Sequence, residues 1–231
     1  MFNERADKTI SGPLIGVGKS VLRRLFGSPE PAAFRNSPQY WEDRYKGGGN
    51  SGAGSYGRLS RFKADVINDF VGEHHVQTVL EFGCGDGAQL ALAKYPRYLG
   101  IDVSHEALRL CRNRFGTDPA KRFMHVTEYD QNAELAELVL SLDVVYHLIE
   151  DSTFCEYMAR LIGAAERGIC IYSSDFDGPG PARHVRHRHI TKWMADHASA
   201  WHLMRHIPNA YPPDAACPDQ TSWSDFFFYS R

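Results

Sequence analysis

The stretch Val79-Leu80-Glu81-Phe82-Gly83-Cys84-Gly85-Asp86-Gly87-Ala88 joins an apolar run to closely spaced glycines, with a carboxylate just ahead of them. Gly83, Gly85 and Ala88 fit the G-x-G-x-x-G/A spacing of a strand-to-helix turn that carries a nucleotide-like ligand. Glycine lets the main chain bend sharply and lets a ligand approach it without a side chain between. A second apolar run closes on Asp102-Val103, roughly twenty residues on, where an acid suits the two hydroxyls of a ribose. Glu81 stands two residues before the first glycine. A dinucleotide would lay its pyrophosphate on this turn, and Glu81 would repel it. A ligand bearing an ammonium group is the better electrostatic match.

Proton-transfer chemistry points to His147, in Asp143-Val144-Val145-Tyr146-His147-Leu148-Ile149-Glu150-Asp151, just past a fourth apolar run. Ligands of open α/β sheets bind at that edge, and an imidazole there can take a proton from a hydroxyl. A buried or capping histidine is the plainer alternative. Asp143, Glu150 and Asp151 are the oxygen ligands that a hard cation such as Mg²⁺ would prefer. Beyond the fifth run comes Arg183-His184-Val185-Arg186-His187-Arg188-His189. Its arginines suit a phosphate or carboxylate on an acceptor, and His184, Arg186, His187 and His189 are candidate acceptor contacts. A solvated basic loop is the competing reading. Upstream, Tyr40-Trp41-x-x-Arg44-Tyr45 precedes the Gly/Ser-rich KGGGNSGAGSYG of residues 46–57. That composition is flexible, and the aromatic residues around it suggest a lid. Tyr40 or Tyr45 would cover the ligand, and Arg44 would hold a carboxylate by charge-assisted hydrogen bonds. Structural packing explains these residues nearly as well.

These residues require elements to position them. Leu59, Phe62, Val66, Ile67 and Phe70 recur at helical spacing and predict a helix near 58–72. Strands are expected at 76–82, 98–102, 123–127, 138–142 and 169–173. Helices are expected from the glycine turn to about 94, and at 104–115, 153–165 and 191–197, with Ser104 as an N-cap. Two closing strands, 201–207 and 226–230, have no helix between them, so one should run antiparallel. The alternation predicts an α/β Rossmann-like, seven-stranded, mostly parallel sheet with helices on both faces. The expected division is an appendage with its Gly-rich lid at 1–57 and the main domain at 58–231. Within the appendage, Leu14, Val17, Val21, Leu22 and Leu25 could form a helix that docks on the domain or meets a membrane surface. Gly18-Lys19-Ser20 lacks the remainder of a phosphate-binding loop. Net charge is −2, from 26 basic and 28 acidic residues, so nucleic acid is not an expected partner. Five cysteines without a C-x-x-C pair suit a reducing, cytoplasmic setting, and no run is long enough for a membrane span.

In order along residues 38–175, the chain resembles class I S-adenosylmethionine (SAM)-dependent methyltransferases. Glu81-x-Gly83-x-Gly85 is similar to their first motif. The resemblance implies that Gly83 and Gly85 line the methionine part of SAM and that Asp102, with Val103 beside it, holds the ribose. It places Glu128 and Tyr129, or Asp130, near adenine at the end of the third strand, and Ser141 and Leu142 near the cofactor. The Asp143…His147 pair with later histidines resembles Mg-dependent hydroxyl methyltransferases, including those of the RNA 3′-terminal ribose. Those place a glutamate where Tyr146 stands here, which weakens Asp143 and Glu150 as metal ligands. The wider string is similar to mycobacterial sugar 1-O-methyltransferases of methylmannose oligosaccharides. That similarity implies a sugar hydroxyl or oligosaccharide acceptor, His147 as base, and room for Mg²⁺. The rival expectations are another small-molecule acceptor, an RNA terminus, or a SAM- or NAD-binding module without methyl transfer.

Overall fold

The computed structural model describes residues 34–231, and Phe34–Arg231 is the unit that carries the sheet. The expected helix around Leu14–Leu25 and the Gly18-Lys19-Ser20 triplet lie outside the described residues. Residues 34–57, grouped by sequence with the appendage, lie within this unit.

The sheet has seven strands: β1 Thr78–Phe82, β2 Arg97–Asp102, β3 Lys121–His125, β4 Ala136–Leu142, β5 Ala165–Ser173, β6 His202–Ile207 and β7 Asp225–Ser230. Their order is β3-β2-β1-β4-β5-β7-β6, and β7 runs antiparallel to both neighbours. The strand order reverses between β1 and β4, which opens a crevice at their carboxyl ends. Side chains alternate between the faces. Leu80 and Phe82 join Val139, Ile169 and Ile171 on one face, while Val79 joins Leu138, Leu140 and Cys170 on the other. Strands buried on both sides need helices on both sides. Helices α2 (Gly57–Glu73) and α3 (His105–Phe115) cover the second face; α5 (Asp151–Gly163) and α6 (Ile190–His197) cover the first.

Two smaller helices matter for the site. α1 (Ser37–Lys46) starts at Asn36, whose side chain accepts from the Gln39 N–H at 2.9 Å. It is pinned by Glu42, which accepts from the Ser104 hydroxyl at 2.6 Å, and by the Ser37 hydroxyl, which donates to Glu150 at 2.8 Å. Ser104 caps α3 as expected, accepting from the Ala107 N–H. α4 (Val126–Gln131) replaces the end of the expected third strand. The His125 side chain caps it, accepting from the Thr127 N–H, and so ends β3 early. The helix expected after the glycine turn is instead a tight turn ending in a single 3₁₀ turn, Leu90–Leu92. Gly85 and Gly87, both left-handed, and the Asp86 side chain hold residues 85–89 in turns.

Candidate functional site

Gly83 (φ 82°) and Gly85 (φ 56°) lie in the left-handed region that side chains avoid. A β-carbon at Gly83 would strike Val144, and one at Gly85 would strike the Ser51 and Tyr45 hydroxyls. The Gly-rich segment therefore lies directly against this turn. Asp86 latches it there: its carboxylate accepts from the Ser51 N–H at 3.1 Å and from the Tyr56 hydroxyl at 2.8 Å, and the Asp86 N–H donates to the Ser51 hydroxyl. Asp102 ends β2 with its carboxylate accepting from the Gly85 and Ser104 N–H groups, at 2.9 and 2.8 Å. Burial raises its pKa against those bonds.

The crevice is a cleft, open at its mouth, of the concave kind in which small ligands bind. Gly83, Gly85, Asp102, Val103 and Leu142 line it as expected, and so does Glu81. Glu81 is 4% exposed and accepts from the Tyr98 hydroxyl at 2.6 Å. Burial pushes its pKa up to about 7, with Asp102 adding to the rise and the Tyr98 bond and Lys63 opposing it. Trp41 and Tyr45 of α1 form one wall. The Tyr45 hydroxyl sits 3.0 Å from that of Ser51.

His147 lines the same cleft from the turn after β4. Its Nδ1 lies 2.9 Å from the His184 carbonyl oxygen. A carbonyl can only accept, so Nδ1 carries the proton and the Nε2 lone pair is free. Trp41 meets its ring edge-on at 4.9 Å, and the His184 ring stacks at 5.3 Å. Burial pushes its pKa down to about 4, with the His184 carbonyl and Asp143 opposing. The imidazole is neutral at physiological pH.

Several expected contacts lie elsewhere. Tyr40 is not on the cleft wall; it stacks on His184 at 4.3 Å. Arg44 is not among the cleft-lining residues; it donates to the Asn50 carbonyl at 2.7 Å, which ties the glycine loop to α1. Glu128 and Tyr129 are carried off by α4. Glu128 is exposed, Tyr129 is buried against Phe82, and Val126 lines the cleft instead. Asp130 is held by two bonds from Arg160. Ser141 is fully buried beneath the Tyr157 hydroxyl, 2.7 Å away.

In the basic loop, Arg186 donates to the Ile149 carbonyl and pairs with Asp151. Arg188 bonds the Leu148 and Ile149 carbonyls. His187 is buried against the Ser174 hydroxyl, and His189 pairs with Asp175. None of residues 183–189 lines the cleft, and His184 acts on it through the carbonyl that orients His147.

The proposed metal ligands do not converge. Asp143 is taken by the Lys63 ammonium at 2.6 Å and the Tyr146 hydroxyl at 2.7 Å, whereas Glu150 holds Ser37. Tyr146, where the resembling metal enzymes have a glutamate, is thus a donor to Asp143. Among the described residues no three His, Cys, Asp or Glu side chains group to hold a metal. This donor set does not fit Mg²⁺, which would compete with an ammonium already seated on its best ligand.

Sequence reasoning missed Lys63, Ser51 and Asp86. Lys63 carried a visible signal: it falls between Leu59 and Ile67 on the buried stripe of α2, where a lone lysine needs a partner.

Residues 80–166 match the model of a methyltransferase domain. No curated protein matches the chain in sequence. Among solved structures, magnesium protoporphyrin IX methyltransferase from Synechocystis PCC 6803 with bound SAM is 16% identical, with a TM-score of 0.63, covering 86% of this chain and 99% of that one. The N-methyltransferase NodS from Bradyrhizobium japonicum WM9, in complex with S-adenosyl-L-homocysteine, is 17% identical, with a TM-score of 0.61, covering 84% and 97%. The methyltransferase domain of bacterial CtHen1-CN gives 14% identity and a TM-score of 0.60, covering 75% and 100%. No described helix is long and apolar enough to cross a membrane. By its strand order and its carboxylate-flanked glycine turn the chain has the Rossmann-like fold of SAM-dependent methyltransferases, and residues 80–166 match a methyltransferase domain.

Proposed function

We propose that the protein transfers the methyl group of SAM to an uncharged hydroxyl, with His147 as general base and a sugar as the acceptor class. The observation that carries the reading is that His147 lines the cleft with its Nδ1 anchored on the His184 carbonyl, which leaves the Nε2 lone pair to act as the base. When bound, SAM supplies an electrophilic methyl carbon on a cationic sulfur.

The chain's residues do the rest. Gly83 and Gly85 leave room against the main chain, Asp102 offers oxygen to ribose hydroxyls, and Glu81 offers a negative partner to an ammonium. Trp41 and Tyr45 exclude water from one wall. His147 would take the acceptor's proton as the acceptor oxygen bonds to the methyl carbon and the carbon–sulfur bond breaks, with S-adenosyl-L-homocysteine as the leaving group. The proton becomes acidic only as that bond forms, so a neutral imidazole whose pKa is about 4 suffices in concert, where prior deprotonation of an alcohol would not be feasible. The withdrawal of Arg186 and Arg188 into backbone contacts supports an uncharged acceptor over an anionic one. Trp223, 60% exposed with Phe176 edge-on at 5.7 Å, supports a ring-shaped acceptor that stacks. Trp193 and Trp201 are packed in the core instead.

The test is transfer of radiolabelled methyl to a panel of glycans, with and without EDTA. Turnover should persist in EDTA, because Asp143 is engaged by Lys63. His147→Ala should lose at least about a hundredfold in turnover, a typical contribution of a positioned base, with SAM affinity within about twofold by calorimetry. Undiminished turnover in that variant would remove the base.

A further inference from the structure

Lys63 is 1% exposed, yet its ammonium has a single hydrogen-bond acceptor among the described residues, Asp143 Oδ2 at 2.6 Å. An ammonium has three N–H donors, and burying it with two of them unmatched is costly. The side chain lines the cleft, so the unmatched donors belong to the space a ligand would fill. Asp143 cannot turn away to relieve this. Its other oxygen is held by the Tyr146 and Ser224 hydroxyls, at 2.7 and 3.3 Å, and its backbone sits in the left-handed region at φ 61°. A non-glycine residue held there signals a position fixed by its surroundings.

Glu81, also buried and also on the cleft, lies close enough for its charge to interact with that of Lys63. Glu81 and Lys63 thus present a carboxyl group, which an incoming ammonium would hold ionised, and an ammonium to the same cleft. An amino-acid zwitterion is the complementary ligand. Arg44, the sequence's candidate for a ligand carboxylate, is occupied with the Asn50 carbonyl.

We infer that Lys63, held by Asp143, binds the α-carboxylate of the cofactor's methionine moiety. This rests on SAM being the ligand of the cleft. Lys63 becomes a cofactor-binding residue, and Asp143, Tyr146 and Ser224 are positioning residues that aim it. The alternative is that Lys63 only neutralises Asp143.

Calorimetric titration of the full chain with SAM, S-adenosyl-L-homocysteine and decarboxylated SAM separates the two. Wild type should bind SAM at least about tenfold more tightly than decarboxylated SAM, as loss of a charge-assisted hydrogen bond implies. Lys63→Met should lose about tenfold on SAM and on S-adenosyl-L-homocysteine, and under twofold on decarboxylated SAM. Because Lys63→Met leaves Asp143 buried without its cation, the pair Lys63→Met/Asp143→Asn, which removes both charges, serves as the folded control and should show the same selective loss. Equal losses on all three ligands would overturn the assignment, as would a wild type indifferent to the carboxylate. A wild type that binds none of the three would sink the cofactor reading itself and Lys63's role with it.

Discussion

Glu81 is the residue whose chemistry is most exposed to measurement. In the free protein burial holds its pKa near 7, against an ordinary 4.5. Below pH 4.5 both folded and unfolded chains keep the proton, and its contribution to stability is fully present. As pH rises toward 7, the unfolded chain ionises while the folded one resists, so stability falls, by up to about 3 kcal/mol at 1.36 kcal/mol per pKa unit. Glu81→Gln should flatten that slope in urea titrations between pH 4.5 and 8. An ammonium brought beside Glu81 reverses the balance and favours the carboxylate. SAM binding at pH 6 should therefore release a proton, detected as a dependence of the calorimetric heat on the buffer's ionisation enthalpy. Glu81→Gln should abolish that dependence. The absence of proton release in wild type would mean that no cation sits beside Glu81. At this scale the sequence was informative about where Gly83, Gly85, Asp102 and His147 lie, on the cleft, because that place depends on backbone position relative to a strand end. It did not show that Arg44, Arg186 and Tyr40 would be engaged off the cleft wall, because where a long side chain points is decided by packing partners that no local pattern identifies, such as Asn50, Ile149 and His184.

Elements explain why the cleft has a roof. The Gly-rich segment would be an ordinary flexible loop by composition, yet two devices fix it. Arg44 clamps its start through the Asn50 carbonyl, and Asp86 receives Ser51 and Tyr56 at its end. Asp86 is the more telling, since it lies on the cofactor turn and couples that turn to the segment above it. Asp86→Ala removes the one oxygen that accepts both bonds and leaves Tyr56 and the Ser51 amide to water. The expected result is faster hydrogen exchange at residues 50–56 and faster SAM dissociation by stopped flow, about tenfold for two hydrogen bonds worth roughly 0.5–1.5 kcal/mol each. Exchange unchanged across 50–56 would show that the latch does not hold the segment. Most elements were legible because apolar periodicity is a strong signal. The exceptions were short ones. α4 depends on His125 capping its own successor, and the missing helix after the turn depends on Gly85, Gly87 and Asp86 acting together. Neither leaves a periodic trace.

For the whole molecule, the position of β7 is decisive. It arrives last in sequence and enters between β5 and β6, antiparallel to both. It then supplies side chains to both cores, Phe227 and Tyr229 to one and Phe226 and Phe228 to the other. The chain's C-terminal residues must therefore be in place before either face of the sheet is complete. Phe228 is fully buried and stacks on Phe70 of α2, with ring centres 4.3 Å apart. Phe228→Ala deletes that ring and leaves a cavity between the sheet and the helix that carries Lys63. Such truncations cost about 3–5 kcal/mol, a large share of the roughly 5–15 kcal/mol that holds a domain folded. Urea unfolding followed by tryptophan fluorescence and by circular dichroism should give one coincident transition in wild type, and a midpoint lowered by that amount at unchanged slope in the variant. Because α2 rests on this ring, SAM affinity should fall with stability, whereas His147→Ala should lower turnover alone. A Phe228→Ala protein that lost less than about 1 kcal/mol would mean that β7 is not the strand that closes both cores.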